Sequence, residues 1–138
     1  MSEIQKISLG IVVNKDNEVL LVNRTSKKEL SDGSLLSWAF PGGKVEQDEN
    51  PKEAVERELL EETGYKVIAN EIIYKNNHLL TPIYVYYFGC SLVEGLEKHE
   101  TRDAAIIESA WISINGLSNF LTSPINPEVS QYLNNRLC

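Results

Sequence analysis

The stretch from Phe40 to Tyr65 limits what this chain can become more than any other. It reads Phe-Pro-Gly-Gly-Lys-Val-Glu-Gln-Asp-Glu-Asn-Pro-Lys-Glu-Ala-Val-Glu-Arg-Glu-Leu-Leu-Glu-Glu-Thr-Gly-Tyr and marks a helix at both ends. Asn50 can cap the first turn, Pro51 suits the first helical position, where a missing N–H costs nothing, and Glu53 can reach back to complete a capping box. Gly64 supplies the stop, because the left-handed residue that closes a helix is cheapest as glycine. At about 100° per residue, Glu61 and Glu62 lie roughly 60° and 40° to either side of Glu58. Three carboxylates therefore share one narrow face, and Ala54 leaves it uncrowded a turn earlier. Like charges at such spacings cost about 0.2–0.5 kcal/mol per pair, so this face needs full solvation or a counter-charge. Two readings stand on the carboxylates alone. One is a solvated acidic helix; the other is a seat for a hard divalent cation, since magnesium takes carboxylate, water and phosphate oxygens.

The spacing separates them. Gly43, five residues, Glu49, seven residues, Arg57-Glu58-Leu59, one residue, Glu61-Glu62, one residue and Gly64 resembles the signature of the Nudix hydrolases. One position departs from it. Where the family usually has an aliphatic residue after the last glycine, this chain has Tyr65, which bears on packing beneath the loop more than on the acidic face. The resemblance extends toward the MutT-like branch, nucleoside triphosphate pyrophosphohydrolases, through Phe-Pro-Gly-Gly-Lys-Val-Glu, through Trp-Ile-Ser-Ile-Asn-Gly-Leu, and through the spacing from Leu117 past Asn126 to Leu133. It covers most of the chain, although the central signature alone is specific.

Around this centre the length suits one domain spanning residues 1–138, and the composition is that of an ordinary globular protein. A net charge of −7 and a pI near 4.9 leave no basic excess for a nucleic-acid polymer or an anionic membrane. A small phosphorylated ligand is still admitted if cations accompany it. Cys90 and Cys138 show neither a disulfide framework nor metal-ligand spacing, which fits a reducing compartment. The first residues, Met-Ser-Glu-Ile-Gln-Lys, show no apolar run after a basic start, so a cytoplasmic protein with no signal peptide or membrane span is expected.

In order, Ile7 to Val13 and Val19 to Asn23 flank a polar Asn14–Glu18 segment and predict a β-hairpin, with Arg24 ending its second strand. Thr25 to Ser37 is a long polar connection of the kind that forms lids and binding loops. Leu35 to Phe40 predicts a short strand that enters a glycine turn at Gly42-Gly43, where backbone groups can approach a metal ion or phosphate. Beyond the helix, Ile72 to Tyr74 and Ile83 to Phe88 predict strands, the second carrying tyrosines that either line a pocket or pack in a core. Leu92 to Ala105 reads as a solvated loop with His99 at the surface, Ile106 to Ile114 as a strand, and Asn126-Pro127-Glu128 as the start of an amphipathic helix that buries Val129, Leu133 and Leu137.

The resemblance implies an α/β fold, a Nudix-type α/β/α sandwich in which helices enclose a mixed sheet. It also implies a hydrolase that cleaves a phosphoanhydride in a nucleoside diphosphate linked to another group, with a nucleoside triphosphate favoured by the MutT-like segments. Nucleotide sugars, dinucleoside polyphosphates and a non-catalytic nucleotide-binding module are the alternatives. Mg²⁺, with Mn²⁺ as a substitute, is the implied cofactor, held by Glu58, Glu61, Glu62 and the backbone of Gly42. Glu58 is the implied general base, acting with Glu61, while Arg57 orients a neighbouring glutamate such as Glu49. Arg24, Phe40 and Asn126 match positions that contact the nucleotide, Asn126 being equally well placed to cap the last helix. Glu100, Asp103 and Glu108 are candidates for a further acidic ligand. The histidine found in the MutT long loop has no counterpart between Thr25 and Ser37. The expected partner is a small nucleotide, and whether the protein is a monomer or a homodimer is left open.

Overall fold

A computed structural model describes residues 5–25, 36–77, 83–93, 106–121 and 125–136. The first strand, β1 (Gln5–Val12), is followed by β2 (Glu18–Thr25), β3 (Leu36–Ala39) and β4 (Gly42–Lys44), then by helix α1 (Pro51–Thr63). After it come β5 (Val67–Asn77), β6 (Ile83–Leu92), β7 (Ile106–Ser113), a 3₁₀ turn (Ile114–Asn119) and helix α2 (Pro127–Arg136). No described helix is long and apolar enough to cross a membrane.

Two sheets result, one ordered β4-β1-β6-β5 and the other β3-β2-β7. The first is mixed, since β1 runs parallel to β6 but antiparallel to β4. The predicted hairpin is corrected here. Asn14 to Glu18 does turn the chain, held by the Asn14 N–H on the Glu18 carbonyl at 3.0 Å, with Asn17 at φ 59°. Beyond a single bridge between Val13 and Val19, however, β1 and β2 part into different sheets. Both strands are buried on both faces, with Ile11, Val12, Leu20 and Leu21 wholly inaccessible. A strand covered on two sides reads as a continuous apolar run whichever neighbour it pairs with, so the pattern did not reveal the partner.

The alternation along β1 shows how the layers meet. Ile11 joins Val19, Leu21, Leu117, Val129 and Leu133 in one core, whereas Val12 joins Leu20, Val55, Leu59 and Phe88 in the other. α2 supplies residues to the first core and α1 to the second, giving helix, sheet and helix in three layers. Close seating of α1 depends on Gly10, where an added Cβ would lie 2.9 Å from Leu59 Cδ2. Tyr65 lies against the α1 core, its hydroxyl accepting from Trp111 Nε1 at 3.3 Å and its ring edge-on to the indole at 5.6 Å. The aromatic departure from the signature is thus accommodated by a second aromatic.

Candidate active site

Helix α1 begins as its sequence dictates. Asn50 Oδ1 accepts the Glu53 N–H at 2.8 Å, Glu53 Oε1 accepts the Asn50 N–H at 3.1 Å, and Gly64 closes the helix at φ 78° with its N–H on the Leu60 carbonyl. The three acidic residues of interest fall in its C-terminal half. That placement is doubly unfavourable, because the glutamates repel one another and face the negative end of the helix dipole.

Arg57 supplies the counter-charge. Its Nε and Nη2 grip Glu49 as a fork at 3.0 and 2.6 Å, Nη1 reaches Glu58 Oε1 at 3.0 Å and Glu61 Oε2 at 3.2 Å, and Nη2 also donates to the Lys44 carbonyl at 3.1 Å. One guanidinium therefore fixes two glutamates of the helix, the loop before it and the end of β4. The Arg57 hydrogen bond holds the Glu49 carboxyl below its ordinary value, against the opposing effect of burial, and the Glu46 N–H adds to the lowering. Arg57 is correspondingly held above its own ordinary value, first by Glu49 and then by Glu58.

The three carboxylates have different partners. Glu62 is 1% exposed and accepts the Gly42 N–H at 2.8 Å, while Glu58 and Glu61 turn to Arg57. Among the described residues no three Asp, Glu, His or Cys side chains converge on a common point where a metal ion would sit.

The glycine pair, expected as a turn, is instead the strand β4, antiparallel to β1 with Ser8 opposite Gly43 and Leu9 opposite Gly42. Its glycines are required by contact. A Cβ on Gly42, at φ 148°, would fall 2.0 Å from the Ser8 carbonyl oxygen, and one on Gly43 would lie 2.7 Å from the Glu58 carboxylate. Gly43 is thus a cradle in which the Glu58 carboxylate rests against bare backbone. The donor set here, carboxylate oxygens with a bared backbone beside them, fits a hard divalent cation in its chemistry.

On the other side of β4 lies a cavity of about 490 Å³ between the sheets. Ile7 and Leu9 of β1, Trp38 and Phe40 at the end of β3, Tyr87 of β6 and Asn126 at the start of α2 line it, and Gly42 to Lys44 form the wall it shares with the acidic side. Phe40 is 8% exposed and belongs to the core beneath, so it serves both as packing and as lining. Asn126 caps α2, its Oδ1 accepting the Glu128 N–H at 2.8 Å and the Val129 N–H at 3.3 Å, and it lines the cavity as well. The two readings of that residue are compatible.

Other expected positions are not gathered in this way. Arg24 is placed by its backbone on β2, opposite Ser37, beside an irregularity in the pairing with β7, and its side chain lies outside what is described. Glu108 is exposed on β7 opposite Asn23. Glu100, Asp103, His99, Leu137, Cys138 and most of the long connection after β2 lie outside the described residues. Pattern reading did not single out Trp38, Lys44, Ile7 or Leu9 as lining. For β1 the signal was present, since Ile7, Leu9 and Ile11 point to one side while Lys6, Ser8 and Gly10 point to the other, but alternation marks an apolar face without telling a cavity wall from a packed core.

The NUDIX domain family profile matches residues 5–133. A MutT-like protein of Streptomyces ambofaciens is 31% identical over 111 residues, which are 79% of this chain and 64% of that protein. An 8-oxo-dGTP diphosphatase of Escherichia coli K12 is 39% identical over 59 residues, 43% of this chain and 43% of that protein. This chain therefore spans less than two thirds of the length of these curated relatives. A solved NUDIX hydrolase from Nitrosomonas europaea shares the fold at a TM-score of 0.73 and 21% identity, over 98% of this chain and 89% of that one.

Proposed function

The chain belongs to the Nudix family, and we propose that it is a hydrolase that splits a phosphoanhydride bond of a nucleoside triphosphate into the nucleoside monophosphate and pyrophosphate. The observation that carries this reading is the shared wall at β4. Three residues separate a largely apolar cavity, sized for a nucleoside, from two carboxylates clamped by one arginine. The names of the relatives, MutT-like protein and 8-oxo-dGTP diphosphatase, support the same substrate class.

In this mechanism the base lies in the cavity against Phe40 and Trp38, with Asn126 at its edge, and the phosphates extend past Gly42 to Lys44 toward α1. Arg57 keeps Glu58 and Glu61 at fixed positions, so the carboxylates need no reorganisation as charge develops. Glu58, seated over Gly43, takes the proton of the attacking water. The water oxygen bonds to phosphorus as the anhydride P–O bond breaks, and pyrophosphate leaves with the bridging oxygen. Glu58 and Glu61, together with the Gly42 backbone and Glu62 behind it, are the groups that would hold a divalent cation, as Nudix hydrolases generally use. When bound, such a cation, Mg²⁺ or Mn²⁺, would supply Lewis acidity to the phosphate and offset the repulsion between a polyphosphate and an acidic helix.

The test is hydrolysis of nucleoside triphosphates, nucleotide sugars and dinucleoside polyphosphates with Mg²⁺ or Mn²⁺, following released phosphate and pyrophosphate. Glu61→Gln is expected to lose turnover while keeping the parent's circular dichroism and melting temperature. A Glu61→Gln protein as active as the parent would remove Glu61 from the site.

A further inference from the structure

The cavity wall contains polar groups that the proposed reaction does not use, Gln5 and Tyr87 among them. Tyr87 lies on β6 opposite Leu9 of β1, and both line the cavity. Among the described residues, hydrogen-bonding side chains are few in that lining: Gln5, Trp38, Lys44, Tyr87 and Asn126. Lys44 is exposed, and its carbonyl is tied to Arg57, which places it at the phosphate end. Tyr87 stands at the other. In the order β4-β1-β6-β5 it is two strands from β4, roughly 10 Å across the sheet, about the reach of a nucleoside from its phosphate.

Helix α2 packs against the same strand and also lends Asn126 to the cavity wall. Tyr132 sits over Gly89, where an added Cβ would lie 2.6 Å from its hydroxyl. Asn126 begins the helix about 9 Å back along its axis, and Tyr87 is one pleat back from Gly89 on the same face of β6, roughly 7 Å away. Tyr87 and Asn126 both line the cavity. Tyr87 is partly buried, and its ring lies 6.4 Å from that of Tyr74 on β5. Burial, and secondarily Tyr74, push its phenol above the ordinary value, so the hydroxyl keeps its proton and offers both a donor and an acceptor. Phenylalanine would fill the same space with neither.

We infer that Tyr87 is a specificity-determining residue, its hydroxyl hydrogen-bonding the polar edge of the nucleobase beside Asn126. The inference rests on the nucleotide reading of the cavity. A site that satisfies a polar base edge discriminates strongly, because the wrong base leaves buried groups unpaired.

Kinetics of Tyr87→Phe on ATP, GTP, ITP and CTP test it. For the base the parent prefers, kcat/KM is expected to fall about tenfold through KM, with kcat and the melting temperature unchanged, and the preference over the other bases to narrow. A variant that keeps the parent's full preference would overturn the assignment. If the parent hydrolyses none of the four, the hydrolase reading fails separately, and Tyr87 is judged by calorimetric titration with their non-hydrolysable α,β-imido analogues. There a tenfold weakening for the preferred base upholds the role, and equal binding by parent and variant dismisses it.

Discussion

Gly43 and Glu58 are fitted to each other: a methyl group on the first would lie 2.7 Å from the carboxylate of the second. Gly43 sits on the shortest strand of the sheet and Glu58 on the helix above it, so their contact registers α1 against β4 where the carboxylates are held. The neighbouring Gly42 is tight for a different reason, its obstacle being the Ser8 carbonyl of β1.

The two glycines therefore respond differently to alanine. In Gly43→Ala the obstacle is the far end of a flexible side chain, so stability is expected to fall by about 1 kcal/mol or less, while displacement of Glu58 lowers turnover on the order of 10²-fold. Gly42→Ala combines an unfavourable φ with a backbone clash and is expected to cost roughly 3 kcal/mol or more. Urea denaturation and turnover of both variants check this. Equal stability losses would contradict the distinction.

Glu49 connects the site to acid stability. Its folded value lies below the ordinary 4.5 because Arg57 stabilises the carboxylate, and Arg57 remains charged throughout. The contribution of the pair is thus present above the unfolded value and lost as pH falls through the folded one. Glu49→Gln is expected to be less stable than the parent at pH 7 and to show a shallower decline below pH 4.5. Parallel stability curves from pH 7 to pH 3 would show that the fork contributes nothing.

Asn126 caps α2 and lines the cavity, and two substitutions separate the cap from the proposed contact with the nucleotide. Asn126→Ala removes the cap and is expected to cost about 1 kcal/mol. Asn126→Asp keeps a capping oxygen but replaces the amide, so it is expected to melt close to the parent while raising KM for the nucleotide. Melting curves set beside KM decide the matter, and an Asp variant with unchanged KM would leave Asn126 as a cap alone.

Cys90 is expected to be inert in the native protein. It is 2% exposed, and burial pushes its thiol up to about 12, with Glu56 adding to the rise, so almost no thiolate forms near neutrality. Iodoacetamide at pH 8 followed by peptide mapping should find Cys90 unmodified in buffer and alkylated in urea. Labelling of the folded protein would show that β6 opens.

What the chain discloses without a structure depends on how local the determinant is. The limits of α1 were legible because Asn50, Pro51, Glu53 and Gly64 act within a few residues of themselves. The separation of β1 from β2 was not, because a strand buried on both faces carries no mark of its neighbour. Gly42-Gly43 illustrates the same limit. Two glycines announce a close approach, but whether the backbone turns or pairs depended on Ser8 and Leu9, more than thirty residues away in the chain. The spacing of the acidic trio on α1 was legible, but the partners of each carboxylate were not, because the Gly42 N–H that Glu62 accepts comes from a residue twenty positions away.

A partition three residues long leaves no independent control over its two sides. Any displacement of Gly42 to Lys44 tilts the cavity lining and the footing of Glu58 and Arg57 together. Variants there should move affinity and turnover in step. Selectivity, by contrast, is free to drift at the far end of the cavity, where a side chain can be exchanged without disturbing the carboxylates that Arg57 clamps.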